Sequence, residues 1–342
     1  FPLKALANDQ WKQIKEMQEL MKINVPAFIY DGDTPLSQRS MIRSKARIIL
    51  TNPYELHYIL PWHAKWARFY SHLGVVVIDE AHTYRGVFGS NFSLLVRRLK
   101  RVCHFYQSKP VFVLSSATMQ NAQEFSKKLI DESCQLIDQD GSSKGTKHFV
   151  FYNPFKNGQD TRTTLDESRK IFHYCISHEL QTLCFVGSRK STEWILFQLK
   201  QKKNPFNQPL LDRISSYRAG YLPEERRRIE QQLKSRELLG VISTNALEVG
   251  IDIGSLDSVI ITGYPGSVIS TWQQAGRCGR GKNESFVFLV AYQNPLDQYI
   301  MKHPIEFLNR NHEHAIINPH NPYILANHLL CAAYEMPVDP EK

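Results

Sequence analysis

The feature that most constrains the fold is residues 73–82, LGVVVIDEAH, where an apolar run ends in two adjacent acids. A continuously apolar run bounded by a glycine predicts a central strand of a parallel sheet, covered on both faces. In open α/β sheets, ligands bind beyond the carboxyl ends of the strands. Asp79 and Glu80 follow this strand directly, so the sequence predicts a site at this edge of the sheet.

Two neighbouring acids at such a position are costly unless a cation lies close to them. A Walker-B-type site accounts for the pair, because Asp79 would hold Mg²⁺ and Glu80 would position the attacking water. The alternative is a strand followed by a solvated helix cap, since an acid often follows an apolar strand. For Asp79 and Glu80 taken alone, both interpretations stay open.

The order of elements predicts an α/β fold. Strand and helix patterns alternate along the chain with short polar loops, which is typical of βαβ units and a parallel sheet. Residues 138–147, DQDGSSKGTK, form the one Gly/Ser-rich polar run, and we interpret them as a linker. The prediction is a first domain over 1–137 and a second over 148–342 that ends in a mainly helical tail. The 342 residues are enough for two such cores.

Composition narrows the class of partner. Lys and Arg number 42 against 33 Asp and Glu, a net charge of +9 that suits a polyanion, although an ordinary basic protein would show the same surplus. The six cysteines form no CxxC pair, which predicts a reducing compartment without disulfides or a zinc site. Without a leader or a membrane-length apolar run, we expect an intracellular protein with no membrane partner, in the cytoplasm or nucleoid if bacterial.

Small hydroxyl or basic residues recur where strands end. Any one of them is more easily explained as a turn or an N-cap. Their recurrence suggests two facing rows of phosphate-binding groups that do not read bases. The residues concerned are Thr51, Ser116, Thr118, Ser188, Arg189 and Thr244.

A second constellation lies at residues 271–280, TWQQAGRCGR. Arg277 and Arg280 are three residues apart, and we expect both on one face of a helical turn. Such a pair can clamp phosphate oxygens through permanently charged donors. An arginine of this kind stabilises charge that develops on a γ-phosphoryl group. The alternative is two solvated surface arginines, and the small residues around them favour the functional interpretation.

These blocks resemble a known family. DEAH at 79–82, SAT at 116–118 and QAGRCGR at 274–280 resemble motifs II, III and VI of superfamily 2 DExH helicases, in that order. The blocks PLKALANDQ, DEAHTYRG, TNALEVGIDIG and NPYILANHLLCAA are most similar to the YprA/MrfA and Hrq1-type DNA helicases. Further blocks resemble motif Ia (PLKALA, 2–7), Ib (TNP, 51–53), IV (FVGSR, 185–189), IVa (YRAG, 217–220) and V (STNALEVGID, 243–252).

The resemblance implies two tandem RecA-like domains that use ATP and Mg²⁺. It assigns Mg²⁺ to Asp79 and the attacking water to Glu80. Residues that would couple nucleotide to domain movement are His82, Ser116, Ala117 and Thr118. Residues that would approach the nucleotide from the second domain are Gly250, Asp252 and Gln274, with Arg277 and Arg280 as arginine fingers. Residues that would line the path of a single strand are Lys4, Thr51, Asn52, Arg85, Ser188, Arg189 and Thr244.

The implied activity is an ATP-dependent helicase or translocase, 3′→5′ on DNA, with a role in DNA repair. Its partner would be single-stranded or partly duplex nucleic acid, with DNA favoured over RNA. Two alternatives stay open: a Ski2-like RNA helicase, and a nucleic-acid-binding module that does not hydrolyse ATP. The sequence begins at the block resembling motif Ia, whereas the family's Walker A loop precedes it. We therefore expect a fragment, and little or no ATPase activity from residues 1–342 alone.

Overall fold

The structure is a computed structural model that describes residues 1–117, 119–139, 141, 145–155, 163–201, 208–248, 253–279, 284–310 and 313–338. The chain forms two compact units. Unit 1 contains Phe1–Asp138 and His314–Lys342, and unit 2 contains Gln139–Glu313. Over the described residues, every helix is too short or too polar to cross a lipid bilayer.

Unit 1 combines two short parallel sheets with helices. β1 pairs with β2 and β3 pairs with β4, each in parallel. The largest helix, α5, buries one apolar face that includes Leu95, Leu99 and Val102, in a core shared with α6 and with Trp66. The elements of this unit are α1 (Lys4–Met21), β1 (Ala27–Ile29), α2 (Leu36–Lys45), β2 (Ile48–Leu50), α3 (Pro53–Ile59), α4 (Ala67–Ser71), β3 (Val75–Ile78), α5 (Gly86–Phe105), β4 (Val111–Leu114), α6 (Ala122–Ile130) and α14 (Pro322–Glu335), with 3₁₀ turns at Leu60–Trp66 and Ala81–Thr83.

The strand before the acid pair is covered on one face only, so the prediction of two covered faces was wrong. Ile78 is buried in the core, whereas Val75 and Val77 are each 56% exposed. Their partners across the parallel ladder, Val111 and Val113, are exposed as well. The reason is that side chains alternate between faces along a strand, and the described elements of unit 1 pack on the face that carries Ile78.

The C-terminal tail belongs to unit 1, which differs from our placement of residues 148–342 in one domain. Its helix α14 packs against α5 and buries the polar side chains of His328 and Glu335 together with Ala332. The buried Arg98 of α5 forms a bidentate ion pair with Glu335, with Nε 3.1 and 3.2 Å from the two carboxylate oxygens. Arg98 also contacts His57 and His328 through Nη1, at 2.9 and 3.4 Å.

Lowering the pH from about 6.5 to about 4 is expected to destabilise the packing of α14 against α5. Burial first, then the positive charge of Arg98 and the neighbouring His57, lower the pKa of His328 from 6.5 to about 4. In this pH window the unfolded chain binds a proton at His328 that the folded unit does not, so stability falls as the pH falls. Amide hydrogen exchange in α14 should therefore accelerate as the pH is lowered from 7 to 4.5, after correction for intrinsic rates. Exchange that stays constant in wild type, or is equally pH-dependent in His328→Asn, would contradict this.

Unit 2 is built on a six-stranded, wholly parallel sheet, in the order β5-β10-β9-β6-β8-β7. The central strands β6, β8 and β9 are buried along their whole length, because helices cover them. The mixed α/β fold with parallel sheets and flanking helices is confirmed. The elements of this unit are β5 (Lys147–Tyr152), α7 (Thr164–Ser177), β6 (Thr182–Phe185), α8 (Arg189–Gln201), α9 (Gln208–Leu211), β7 (Ile214–Tyr217), α10 (Pro223–Lys234), β8 (Gly240–Ser243), β9 (Ser258–Thr262), α11 (Val268–Ala275), β10 (Ser285–Val290), α12 (Pro295–Lys302) and α13 (Pro304–Leu308), with a 3₁₀ turn at Asn245–Leu247.

Candidate functional site

The acid pair lies where β3 ends and the chain reverses into a 3₁₀ turn. Glu80 has φ 52° and ψ 46°, in the left-handed region that non-glycine residues rarely adopt. The Thr83 hydroxyl and backbone N–H both donate to the Glu80 carbonyl, at 2.8 and 2.9 Å. Strained backbone of this kind persists only where the surroundings fix it, and it concentrates at functional sites.

Parallel pairing of β3 and β4 brings the acid pair to the residues that follow β4. Because Ile78 pairs with Leu114, Asp79 lies beside Ser115. The Ser115 hydroxyl donates to Asp79 Oδ1, and the Ala81 N–H donates to the Ser115 carbonyl at 2.8 Å. Our prediction chose the residues after Ser115 and missed Ser115 itself. Its position as the first residue after an apolar strand, level with Asp79, is the signal that could have found it.

His82 is buried and links the acid pair to the predicted coupling segment. Its Nδ1 accepts from the Ala117 N–H at 3.1 Å and lies 3.5 Å from Ser116 Oγ. Burial, then the charge of Arg85, lowers the pKa of His82 to about 4 against the opposing effect of Asp79. The ring is therefore neutral at pH 7, with its proton on Nε2. The 3.4 Å separation of Nδ1 from Glu80 Oε2 is then a contact between two acceptors, not an ion pair.

The candidate metal ligands at this turn are oxygens: the Asp79 carboxylate, the Ser115 hydroxyl that donates to it and the carboxylate of the next residue, Glu80. Among the described residues, no three His, Cys, Asp or Glu side chains are grouped so that they could hold a metal. A closed protein cage is therefore absent from this part of the chain. An oxygen set with one or two carboxylates fits Mg²⁺, which completes its shell with water and substrate phosphates.

The residues predicted to line a strand path in unit 1 are Lys4, Thr51, Asn52 and Arg85. Lys4 forms an exposed ion pair with Asp33 at 2.8 Å. Asn52 caps α3, since its side chain accepts from the Glu55 N–H at 3.0 Å. Thr51 Oγ1 is buried and has no hydrogen-bond partner within the described residues. Arg85 is exposed at the start of α5.

In unit 2, the predicted strand-path residues follow the carboxyl ends of β6 and β8. The Ser188 hydroxyl accepts from the Ser191 N–H at 3.1 Å at the start of α8, so Ser188 is a helix cap in this structure. Arg189 is exposed beside it. Thr244 precedes the 3₁₀ turn and makes no side-chain cap bond there. These positions agree with the rule that ligands of parallel sheets bind beyond the strand ends.

Glu248 organises the second constellation, and our prediction did not select it. Its carboxylate accepts from Gln274 Nε2 at 2.9 Å and from the Ser270 hydroxyl at 2.6 Å. Its carbonyl accepts from Arg277 Nη2 at 2.8 Å. Glu248 lies in the block that resembles motif V, so its position beside the motif VI residues was open to inference from that resemblance.

Arg277 is buried, and it lies beyond the helix rather than on it. The helix α11 ends at Ala275, and Gly279 adopts φ 70°, so the expected continuous helical turn does not form. Gln274 Oε1 is buried without a hydrogen-bond partner in the described chain, which leaves one acceptor in this cluster for another group. Four predicted site residues lie outside the described residues: Thr118, Gly250, Asp252 and Arg280.

Comparison with family models gives three matches along the chain. Residues 1–125 match the DEAD/DEAH box helicase model, and residues 164–282 match the helicase conserved C-terminal domain. Residues 317–342 match the winged helix domain of the ATP-dependent helicase HRQ1. The first two matches include the acid pair and the Gln274–Arg277 cluster respectively.

Two curated relatives and one solved structure illustrate the similarity. The chain is 47% identical to the uncharacterized ATP-dependent helicase YprA of Bacillus subtilis over 98% of its length, which is 45% of that protein. It is 40% identical to the ATP-dependent helicase HRQ1 of Saccharomyces cerevisiae over 100% of its length, 33% of that protein. The crystal structure of the DUF1998 helicase MrfA bound to DNA superposes with a TM-score of 0.95 at 46% identity, covering 100% of this chain and 46% of that one. The chain thus spans less than half the length of these relatives.

Proposed function

The chain belongs to the superfamily 2 helicases of the YprA, MrfA and Hrq1 type, and from that premise we propose that it is the motor region of an ATP-dependent DNA helicase. The observation that carries the proposal is the pairing of β3 with β4, which holds Asp79 against Ser115 and His82 against Ala117. Because the acid pair is hydrogen-bonded to the segment after β4, a nucleotide bound at the acids can change the position of that segment. DNA is favoured because a similar structure, that of MrfA, contains it.

Each acid has a separate role in the proposal. Bound ATP with Mg²⁺ supplies the phosphoanhydride to be hydrolysed and the charge that neutralises its oxygens. Asp79, whose carboxylate accepts a hydrogen bond from the Ser115 hydroxyl, would hold the metal. Glu80 accepts a proton from the attacking water, and its backbone is fixed by the turn that follows. Gln274 and Arg277 are assigned to the same reaction by resemblance to motif VI.

His82 is a positioning residue in this scheme. Because its ring is neutral, it is held by a hydrogen bond from Ala117 and not by an ion pair with Glu80. A change in the position of Glu80 would therefore alter packing against His82 and the segment that includes Ser116. That connection gives a physical path from hydrolysis to movement of the segment.

We propose that the protein contacts the sugar-phosphate backbone of single-stranded DNA and not its bases at the predicted strand-path positions. Hydroxyl, amide and arginine groups at strand and helix ends bind phosphates without reading the sequence. We propose that DNA slides along Lys4, Thr51, Asn52 and Arg85 in unit 1. The corresponding residues of unit 2 are Ser188, Arg189 and Thr244. The 3′→5′ direction and a role in DNA repair are further parts of the proposal.

The test is ATP hydrolysis by the full-length polypeptide with single-stranded DNA, single-stranded RNA or neither. We expect DNA to stimulate turnover at least tenfold more than RNA of the same sequence, and unwinding of a duplex that carries a 3′ single-stranded tail. Greater stimulation by RNA would replace the proposal by an RNA helicase. Nucleic-acid binding without turnover would replace it by a non-hydrolysing binding module. Unwinding that requires a 5′ tail would overturn the direction alone.

A further inference from the structure

An exposed row of aromatic side chains follows the Thr51–Asn52 segment. Tyr54 is 73% exposed, Tyr58 is 64% exposed and Trp62 is 49% exposed. They recur every fourth residue along α3 and the 3₁₀ turn that continues it. Tyr54 and Tyr58 are four apart in α3, so their rings lie about 6 Å apart along one side of that helix. Trp62 follows the end of α3, where the chain bends with φ −104° and ψ 26°, and it extends the exposed aromatic row along the chain; we call the three rings the ladder.

The first ring of the ladder ends a stack that begins in the core. Tyr84, buried just after the acid pair, stacks on Phe92 at a centroid distance of 4.0 Å and on Phe88 at 5.5 Å. Phe88 in turn stacks on Tyr54 at 6.1 Å with an interplanar angle of 27°. Four rings, each inclined by at most 27° to its neighbour, thus end in one with a largely exposed surface. Another flat aromatic group could extend such a stack at little cost in ordering, because the rings beneath it already hold Tyr54.

The exposed charges on the stretch of chain that carries the ladder are positive. Between residues 51 and 78 the sequence has one acid, Glu55, and its carboxylate is buried in an ion pair with Arg39 at 3.2 Å. Exposed basic side chains in the same stretch include Lys65 and Arg68. Lys65 Nζ lies 4.6 Å from the centroid of the Trp62 ring. An exposed aromatic row on a stretch of chain whose exposed charged side chains are basic has the composition that single-stranded nucleic acid requires.

We propose that Tyr54, Tyr58 and Trp62 form a base-stacking surface for single-stranded nucleic acid. The inference rests on the proposed function and extends it, because Thr51 and Asn52 at the start of the same helix are assigned to phosphates. A strand held there brings its bases to Tyr54, within one helical turn. Stacking is tolerant of sequence, since every base has an aromatic face, and that property suits a translocating motor.

The experiment measures fluorescence anisotropy of a labelled single-stranded DNA with the full-length polypeptide. A second oligonucleotide of equal length carries abasic sites, which keep the phosphates and remove the bases. We expect the Tyr54→Ala/Tyr58→Ala variant to bind normal DNA about tenfold more weakly than wild type. The Tyr54→Phe/Tyr58→Phe variant should bind like wild type, because it keeps the rings. Tyr174→Ala is the matched control, since Tyr174 is an equally exposed tyrosine in unit 2.

The abasic oligonucleotide separates stacking from other causes. Wild type should bind it more weakly than normal DNA, and the double alanine substitution should cost much less affinity on the abasic oligonucleotide than on normal DNA, because its bases are the groups that Tyr54 and Tyr58 would contact. The slope of log affinity against log salt should be the same in both proteins, because phosphate contacts are unchanged. A loss that is equal on both oligonucleotides would overturn the inference and show that the substitutions act through the fold.

Two other outcomes would also overturn the inference. Unchanged DNA binding by the alanine variant, with altered self-association in light scattering, would identify the ladder as a protein-docking surface. Wild-type protein that binds neither DNA nor RNA would reject the proposed function itself. That last result can be told apart from a failure of the stacking inference, because wild-type protein shows it before any variant is compared.

Discussion

Replacing Glu80 by glutamine is expected to lower DNA-stimulated ATP hydrolysis by about 10²- to 10⁴-fold, the range that loss of a general base costs. Glutamine keeps the shape of the side chain but cannot accept the proton of the attacking water. ATP binding should be retained, because Asp79 and its hydrogen bond from Ser115 are unchanged. Steady-state turnover together with the equilibrium binding of a non-hydrolysable ATP analogue would measure both effects.

The fold should tolerate this substitution. The turn after β3 is held by hydrogen bonds to the Glu80 carbonyl, which glutamine also supplies. Glu19→Gln is a suitable control, because Glu19 is an exposed glutamate on α1 of the same unit, far along the chain from the acid pair. Full hydrolysis by Glu80→Gln would show that another group is the base.

The second large effect is expected from Arg98→Ala, which should destabilise unit 1 by about 3–5 kcal/mol. The substitution leaves the Glu335 carboxylate, fully buried in this structure, without its counter-ion. It also removes the contacts of Arg98 with His57 and His328, so the docking of α14 should weaken first. Native-state hydrogen exchange resolves the loss, since amides of α14 and α5 should lose protection while those of unit 2 keep theirs.

Two matched variants test whether the buried, unpaired charge causes the loss of stability. Arg97→Ala removes the neighbouring arginine, whose ion pair with Asp131 is solvent-exposed, and should cost less than about 1 kcal/mol. The double variant Arg98→Met/Glu335→Met replaces both buried charges with apolar groups and should recover most of the lost stability. Equal costs for Arg97→Ala and Arg98→Ala would mean that burial of the pair does not determine its contribution.

Much of the fold could be predicted because local patterns determine it. The apolar run before the acid pair forms a strand, β3 (Val75–Ile78), as predicted, since a short β-branched run bounded by a glycine and by polar residues has few alternatives. The acid pair was also identifiable, because two adjacent carboxylates after an apolar strand require an explanation. Glu248 was missed, as it acquires its partners only when α11 packs beside the turn that follows β8.

The tail shows why the rest could not be predicted. An apolar helix is expected to bury its apolar face. Besides Ala332, α14 buries His328 and Glu335, while Tyr323, Leu330 and Tyr334 are exposed. The burial of these two polar side chains follows from Arg98 on α5, whose charge needs partners inside the core, and no pattern within the tail reveals it.

The four valines on the open face of β3 and β4 have a practical consequence for handling the protein. Val75 lies beside Val111, and Val77 beside Val113, so together they make a continuous water-repelling patch on a two-stranded sheet. Exposed apolar patches promote association of protein molecules. The edge strands of short sheets also carry unpaired backbone N–H and C=O groups that can hydrogen-bond to another molecule. Samples of residues 1–342 should therefore cluster as their concentration rises. Aspartate at Val75 or Val111 would improve solubility without disturbing the core, which lies on the opposite face.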